Sequence, residues 1–550
     1  MVESFTNNLA SHLAEQARLN PEQPAVVYAS RNGRGGARYT FKELERVSNQ
    51  LARGLERIGL QPGMRVALMA PPSLNFFALT FALFKLGAVP VLIDPGMGLQ
   101  KVKQSLAEAG PEAFIGTPKA HLARLLFTWS PGTIYLKVTI GGQSWFGGRT
   151  LARVHKLGAG EEAYAPKQPA RDEMAAILFT SGSTGPSKGV VYTHEIFNRQ
   201  IEYIRELYRI QPGEIDLPTF PLFGLFGPAL GMTAVLPEMD PTRPAQVDPV
   251  KIVSAIRDFK ITSMFGSPAV INRVGRHGSE HGLKLPGLRR VISAGAPVPA
   301  RVLERFATML PPGAQVFTPY GATECLPVSS IGSDEILSDT RHQTDLGRGV
   351  CVGVPVSGLA VKVIRITDDP IPEWTDDLVL PAGLIGEIVV QGPHVTRAYY
   401  NRPEANALAK IWDAAGGFYH RMGDVGYFDD RGRIWFCGRK SHRVVTQQAT
   451  FFTIPCEAIF NLHPAVFRTA LVGVTTGQVT EPVLCVELEP QARGTDRKEL
   501  RDQLLLLGKK HSHTKPIQTI LFHPGFPVDV RHNSKIFREQ LAFWASRQLR

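Results

Sequence analysis

The stretch ILFTSGSTGPSKGV occupies residues 177–190. Its apolar opening reads as the end of a buried strand. From Thr180 to Gly189 every residue is Gly, Ser, Thr, Pro or Lys. Gly182 and Gly185 let backbone N–H groups approach an anion closely. The hydroxyls of Thr180, Ser181, Ser183 and Thr184 add donors, and Lys188 adds charge. The loop is therefore expected to hold phosphate. It is not the loop of a P-loop NTPase, which needs GxxxxGK followed by Ser or Thr. Here Ser187 precedes the lysine and Gly189 follows it. A flexible Gly/Ser linker is the competing reading. Linkers rarely follow a buried strand directly and run into a new one, here GVVYTH (189–194).

Outward from this loop, short apolar runs alternate with helical patterns. RVALMA (65–70), VPVLID (89–94), AFIGT (113–117), MAAILFT (174–180), ITSMFG (261–266) and RRVISAG (289–295) read as buried strands. KELERVSNQLARGLERIG (42–59) and VDPVKIVSAIRDF (247–259) read as amphipathic helices. This alternation predicts a doubly wound, mostly parallel α/β architecture. Between about 350 and 435, LAVKVIRI, GEIVVQG and GRIWFCG alternate at period two, which predicts antiparallel strands. Beyond GRKSH, strands and the helix RKELRDQLLLLGKK predict a small α+β domain. The expected division is a large N-terminal domain, 1–439, and a small C-terminal lid, 440–550. A chain of 550 residues is too long for one core.

The net charge of +12 raises the question of nucleic acid. No nucleic-acid-binding motif accompanies it, so no nucleic-acid partner is expected. The basic excess concentrates from Arg497 onward, where eleven Lys and Arg face four acids. A solvated basic lobe, an anionic substrate and peripheral contact with an anionic membrane are all compatible with it. Five widely spaced cysteines (325, 351, 437, 456, 485) without a CxxC pair argue against disulfides and zinc, and the cytoplasm is the expected location. The N-terminus reads as an amphipathic helix ended by Asn20-Pro21, not a signal peptide. The longest uncharged run, 66–84, is interrupted by Pro71, Pro72 and Asn75, so a membrane span is not expected.

Further motifs follow the loop in order. ISAGAP (292–297), YGATE (320–324), RMGDVGYFDDRGRIWFCGR (421–439) and HNSKIFR (532–538) complete, with FTSGSTGPSKGVVYTH (179–194), a pattern that resembles the acyl-adenylate-forming superfamily nearly end to end. The resemblance implies ATP and Mg²⁺ as cofactors and a carboxylate attacking the α-phosphorus of ATP. Two anions must meet, so charge neutralisation dominates the catalytic task. The resemblance assigns β- and γ-phosphate contacts to the loop residues Thr180 to Gly185 and Lys188, Thr184 among them with a catalytic part. Ala294, Gly295, Ala296 and Pro297 would let backbone pass the purine edge. Tyr320 and Gly321 would border adenine, and Thr323 would bond the α-phosphate. Glu324 would be the metal ligand, since a hard cation takes carboxylate and phosphate oxygens together. Asp424 would accept the ribose hydroxyls, with a plain turn aspartate as its competing reading. Arg439 would lie near ribose and phosphate. Lys535 would neutralise the α-phosphate and the incoming carboxylate, although Ser534 precedes it where the superfamily usually has Gly.

Two departures bear on the second half of the reaction. The superfamily usually passes its acyl group to a thiol arriving along a glycine-bearing strand. Here Ser441 and His442 replace the usual hinge aspartate region, and Gln447 and Gln448 stand where glycines are expected. A variant thiol-using ligase is the competing reading. In PTFPLFGLFGPALGM (218–232), Gly224 stands where a gating His or aromatic is usual, and small residues among Phe220, Phe223 and Phe226 suggest a wide apolar pocket, with core packing as the alternative. YTHEIFNRQIEYIRELYRIQPGEIDLPTFPLFGLFG (192–227) resembles the β-lactone synthetase branch of bacterial olefin biosynthesis. That resemblance implies a long-chain 2-alkyl-3-hydroxy acid whose own hydroxyl displaces AMP, and work alongside other olefin-biosynthesis enzymes. The alternative is a long-chain fatty acyl-CoA ligase. His194 is a candidate base for the hydroxyl proton, with a structural role equally open.

Overall fold

The computed structural model describes residues 7–29, 36–160, 164–180, 186–529 and 535–549. Among them, two large sheets form the body. The first runs parallel through Pro24–Tyr28, Thr233–Leu236, Ile215–Pro218, Ser263–Phe265, Arg290–Ile292 and Gln315–Ala322. It then turns antiparallel through Cys325–Gly332, Val350–Pro355, Ile434–Arg439, Phe418–Phe428, Gly386–Gln391 and Ala360–Ile364. The second sheet orders Leu136–Thr139, Ala113–Gly116, Arg65–Met69, Val89–Leu92 and Met174–Phe179 in parallel, and Gly189–Thr193 closes it antiparallel. The period-two segments thus pair as expected from their alternation, and the near-continuous apolar runs are the parallel strands covered on both faces.

Helix Phe41–Arg57 starts at a capping box, with Thr40 and Glu43 each satisfying the other's backbone N–H. Helix Leu74–Leu86 is buried nearly all round and ends at left-handed Gly87. The uncharged run 66–84 therefore divides into a strand and a core helix. No helix among the described residues is long and apolar enough to cross a membrane. The N-terminal helix is Ser11–Leu19, ended at Asn20.

Beyond Lys440, Val466–Thr476, Val479–Leu488 and Thr519–Phe522 form a separate three-stranded sheet with its own apolar cores. Arg538 at the start of the last helix binds Glu457 through both carboxylate oxygens, at 2.5 and 2.9 Å. Where this unit meets the larger body, Arg301 donates to the Phe467 carbonyl at 2.8 Å and Lys101 lies 5.9 Å from the centre of the Phe537 ring.

Candidate active site

The parallel strands end on one side of the molecule, and a cavity of about 550 Å³ lies there. In open α/β sheets ligands bind outside the carboxyl ends of the strands. Here Thr219 and Phe220 follow Ile215–Pro218, Ser267 follows Ser263–Phe265, and Ala294 and Gly295 follow Arg290–Ile292. Asp94 and Thr180 come from the second sheet, so both sheets open onto the same space.

The opening loop is held shut at its neck. Phe179 pairs with Gly189, Thr180 N–H donates to the Lys188 carbonyl at 3.0 Å, and Lys188 N–H donates to Thr180 Oγ1 at 3.1 Å. Ser187 Oγ donates to the Thr180 carbonyl at 2.5 Å. Thr180 and Lys188 both line the cavity. Ser181, Gly182, Ser183, Thr184 and Gly185 lie outside the described residues.

YGATE forms the tight connection between Gln315–Ala322 and Cys325–Gly332, with Ala322 paired to Cys325. This aims Thr323 and Glu324 into the cavity. Gly321 is required there, since a Cβ would lie 2.6 Å from the Cys325 carbonyl oxygen. Glu324 is braced by Tyr399, whose hydroxyl donates to Oε1 at 2.7 Å. Lys188 Nζ sits 4.6 Å from the centre of the same ring. One tyrosine therefore fixes both the acid of the second motif and the lysine of the first.

Asp424 and Arg439 face each other across neighbouring strands, a register in which opposite charges attract. Arg439 Nη1 lies 3.1 Å from Asp424 Oδ1, and the Tyr320 hydroxyl donates to Oδ2 at 2.8 Å. Burial pushes the Asp424 carboxyl above its usual range, opposed chiefly by Arg439, whose own pKa Asp424 raises. Arg439 lines the cavity, whereas Asp424 and Tyr320 lie behind it. Tyr320 is buried and packs 5.9 Å from Phe436, so its hydroxyl steadies the aspartate in this conformation. Ala294 and Gly295 reach the cavity while Ala296 and Pro297 do not. Lys535 does reach it, although it comes from the small terminal unit. The polar end thus gathers Lys188, Arg439 and Lys535 around Glu324.

The other end is apolar. Phe81 and Phe84 from the core helix, Phe197 and Ile201 from His194–Tyr208, and Phe220, Phe223 and Phe226 line it. The phenylalanines of 218–232 are thus pocket walls; Phe223 stacks on Phe265 at 4.3 Å. The expectation about Gly224 needs correcting. A Cβ there would meet Pro218 Cγ at 3.0 Å and Phe77 Cζ at 3.3 Å, so the glycine faces the core and does not widen the pocket. Gly227 and Gly231 likewise face away, and only Ala229 of the small residues lines the space. Gln447 and Gln448 are exposed at the tip of the hairpin Val444–Val445 and Thr450–Phe451, away from the cavity in this conformation.

His194 is a structural group. It is 2% exposed, its Nδ1 accepts the Leu9 N–H at 3.2 Å, and burial pushes its pKa to about 4. It does not line the cavity. The sequence reading missed Tyr399, and also Lys410 and His420, which stand opposite each other on paired strands behind Glu324. Lys410 is 3% exposed, donates to the Thr396 carbonyl, and burial pushes its pKa to about 7 against the pull of Glu324. Gln200 was missed too; it lines the cavity and donates to the Leu326 carbonyl at 2.9 Å. Its signal was a polar residue on the inner face of an amphipathic helix.

Comparison with known proteins gives the family and the fold. Residues 13–400 match the model of the AMP-binding enzyme family. The chain is 49% identical over 550 residues to the olefin beta-lactone synthetase of Xanthomonas campestris pv. campestris, covering 98% of each chain. It is 48% identical over 555 residues to the protein of that name from Stenotrophomonas maltophilia, again covering 98% of each. Among solved structures, the amide bond synthetase McbA from Marinactinospora thermotolerans superposes with a TM-score of 0.80 at 21% identity, covering 98% of this chain and 99% of the other, a likeness of fold.

Proposed function

The chain belongs to the family of AMP-binding enzymes, and from that premise we propose that it is an ATP-dependent, AMP-forming β-lactone synthetase of olefin biosynthesis. Its substrate in this reading is a long-chain 2-alkyl-3-hydroxy acid. The observation that carries the reading is a single cavity whose lining combines Lys188, Arg439, Lys535, Glu324 and Asp94 with a set of phenylalanines. A carboxylate head and hydrocarbon tails fit that polarity. The lactone outcome rests on near full-length similarity to two olefin beta-lactone synthetases.

In the first step a substrate carboxylate oxygen bonds to the α-phosphorus of ATP and the bond to pyrophosphate breaks. Lys188 and the loop around it steady the pyrophosphate; Arg439 and Lys535 offset charge on the α-phosphate and carboxylate. In the second step the 3-hydroxyl oxygen bonds to the acyl carbon, the acyl–phosphate bond breaks, and AMP leaves with net loss of the hydroxyl proton. Attack within one molecule makes the strained ring accessible. In this reading Asp424, which stands behind the cavity in this conformation, takes the ribose hydroxyls once the nucleotide displaces its contacts with Tyr320 and Arg439. The residues also fit Mg²⁺. Glu324 presents to the cavity a carboxylate, the oxygen donor that a hard cation takes together with phosphate oxygens. Held there by Glu324, the ion would supply positive charge to offset that of the phosphates during adenylation.

The segment 440–550 acts as the lid over 1–439 in this reading, delivering Lys535. Five free, buried cysteines fit a reducing cytoplasm. Enzymes that make the hydroxy acid and consume the lactone are the expected partners.

Incubation with MgATP and a 2-alkyl-3-hydroxy acid, with and without CoA, tests the proposal. Lactone and AMP without CoA are expected. A thioester that forms only with CoA overturns it in favour of an acyl-CoA ligase. Tyr399→Phe provides a second check, because it removes the hydroxyl that braces Glu324. A charge-assisted hydrogen bond is worth about 1.5 kcal/mol, so the Mg²⁺ concentration for half-maximal pyrophosphate release should rise roughly tenfold. An unchanged Mg²⁺ titration would remove Tyr399 from this role.

A further inference from the structure

Between Glu112 and Glu161 the chain contains no Asp or Glu, yet it holds Lys119, Arg124, Lys137, Arg149, Arg153 and Lys156. This segment builds the outer edge of the second sheet. Its helix Pro118–Leu126 covers Ala113–Gly116 with His121 and Arg124 and turns Lys119, Leu122, Leu125 and Leu126 outward. Leu126 is 69% exposed, and Phe127 is exposed beside it. A loop joins this face. Phe146 stacks on His121 at 5.8 Å, and a Cβ on Gly142 would lie 3.6 Å from Pro118 Cγ. That places Trp145, 79% exposed, next to the helix. Arg149 follows it on the surface.

Leucines and a tryptophan standing clear of the fold cost free energy in water unless something covers them. Their company decides what that is. A tryptophan and leucines flanked by exposed cations, here Lys119 and Arg149, form the pattern that settles at a bilayer interface, apolar groups among acyl chains and cations among headgroups. A second copy of the chain would bring the exposed Lys119 and Arg149 against their own counterparts, which charge opposes. We infer that the helix Pro118–Leu126 and the Trp145 loop form a docking surface for an anionic lipid bilayer. The surface is separate from the catalytic cavity, none of whose walls comes from this segment. Docking there would keep the enzyme at the phase in which a two-tailed acid resides.

Flotation with vesicles of phosphatidylcholine alone, and of phosphatidylcholine mixed with phosphatidylglycerol, tests this independently of enzymatic activity. The full-length protein should float with the mixed vesicles, stay behind with the neutral ones, and be released by salt. Lys119→Glu should lower the partition coefficient at least about fivefold, the effect of one cation at such a surface. Leu126→Glu with Trp145→Ser should lower it more than roughly tenfold. Because these side chains are exposed, the variants' melting temperatures should match the parent's. Equal partitioning of parent and variants overturns the proposal, as does failure of the parent to float. A dimer in sedimentation that Leu126→Glu dissolves, without vesicle binding, assigns the face to a second copy and also overturns it.

Discussion

Lys535→Ala should reduce pyrophosphate release with the hydroxy acid by a factor of about 10² to 10³, the usual cost of removing one preorganised charge from a transition state that develops negative charge. ATP affinity, read by calorimetry, should stay within about threefold of the parent. The reason is positional. The lysine reaches the cavity from the terminal unit, while Lys188, Arg439 and the neck of the phosphate loop belong to the larger body and remain in place. Nucleotide binding can therefore persist while the attacking carboxylate loses its partner. If the acyl-adenylate is supplied ready-made, lactone formation by the variant should approach the parent's rate, because the charge Lys535 offsets belongs to the first step. Near-parental pyrophosphate release would remove Lys535 from the machinery. A loss of ATP binding equal to the loss of rate would make it a ground-state contact.

The site was legible in the sequence where its parts are local. The loop announces itself because strand, glycines, hydroxyls and lysine are consecutive, and the pairing of Phe179 with Gly189 follows from that order. YGATE needs only a tight reversal between two strands, and Gly321 is the residue that permits it. What the sequence could not reveal is what distant segments bring behind these motifs. Tyr399 stands 75 residues beyond Glu324, in a stretch with no motif of its own. Lys410 and His420 read as ordinary polar residues until strand pairing buries them. Gly224 failed for a related reason: a short turn rich in Gly and Phe has no period, so nothing in the pattern says which residues face the pocket. The phenylalanines do and the glycine does not. Architecture was easier, since parallel and antiparallel strands differ in whether one face or both are covered, and that difference is written in the alternation.

Glu324→Gln should reduce adenylation by about 10³-fold at saturating Mg²⁺ while leaving the cavity's shape intact. The amide keeps the size of the side chain, and its oxygen can still accept the Tyr399 hydroxyl, so the brace at 2.7 Å is retained and only the charge is lost. Stability supplies the structural control. Burial holds Lys410 at about 7, well below an unfolded lysine, and Glu324 is the first group opposing that shift. The unfolded chain therefore binds the extra proton between pH 7 and the ordinary lysine range, and stability rises with pH across that window. Without the Glu324 carboxylate the Lys410 pKa falls further, so the rise begins at lower pH in Glu324→Gln than in the parent. Melting temperatures taken from mildly acidic to alkaline pH read this directly. Superimposable pH profiles would show that the charge of Glu324 does not reach Lys410. A profile shifted to lower pH, together with lost adenylation, places one carboxylate at both tasks: it faces phosphate on the cavity side and steadies a buried cation on the other.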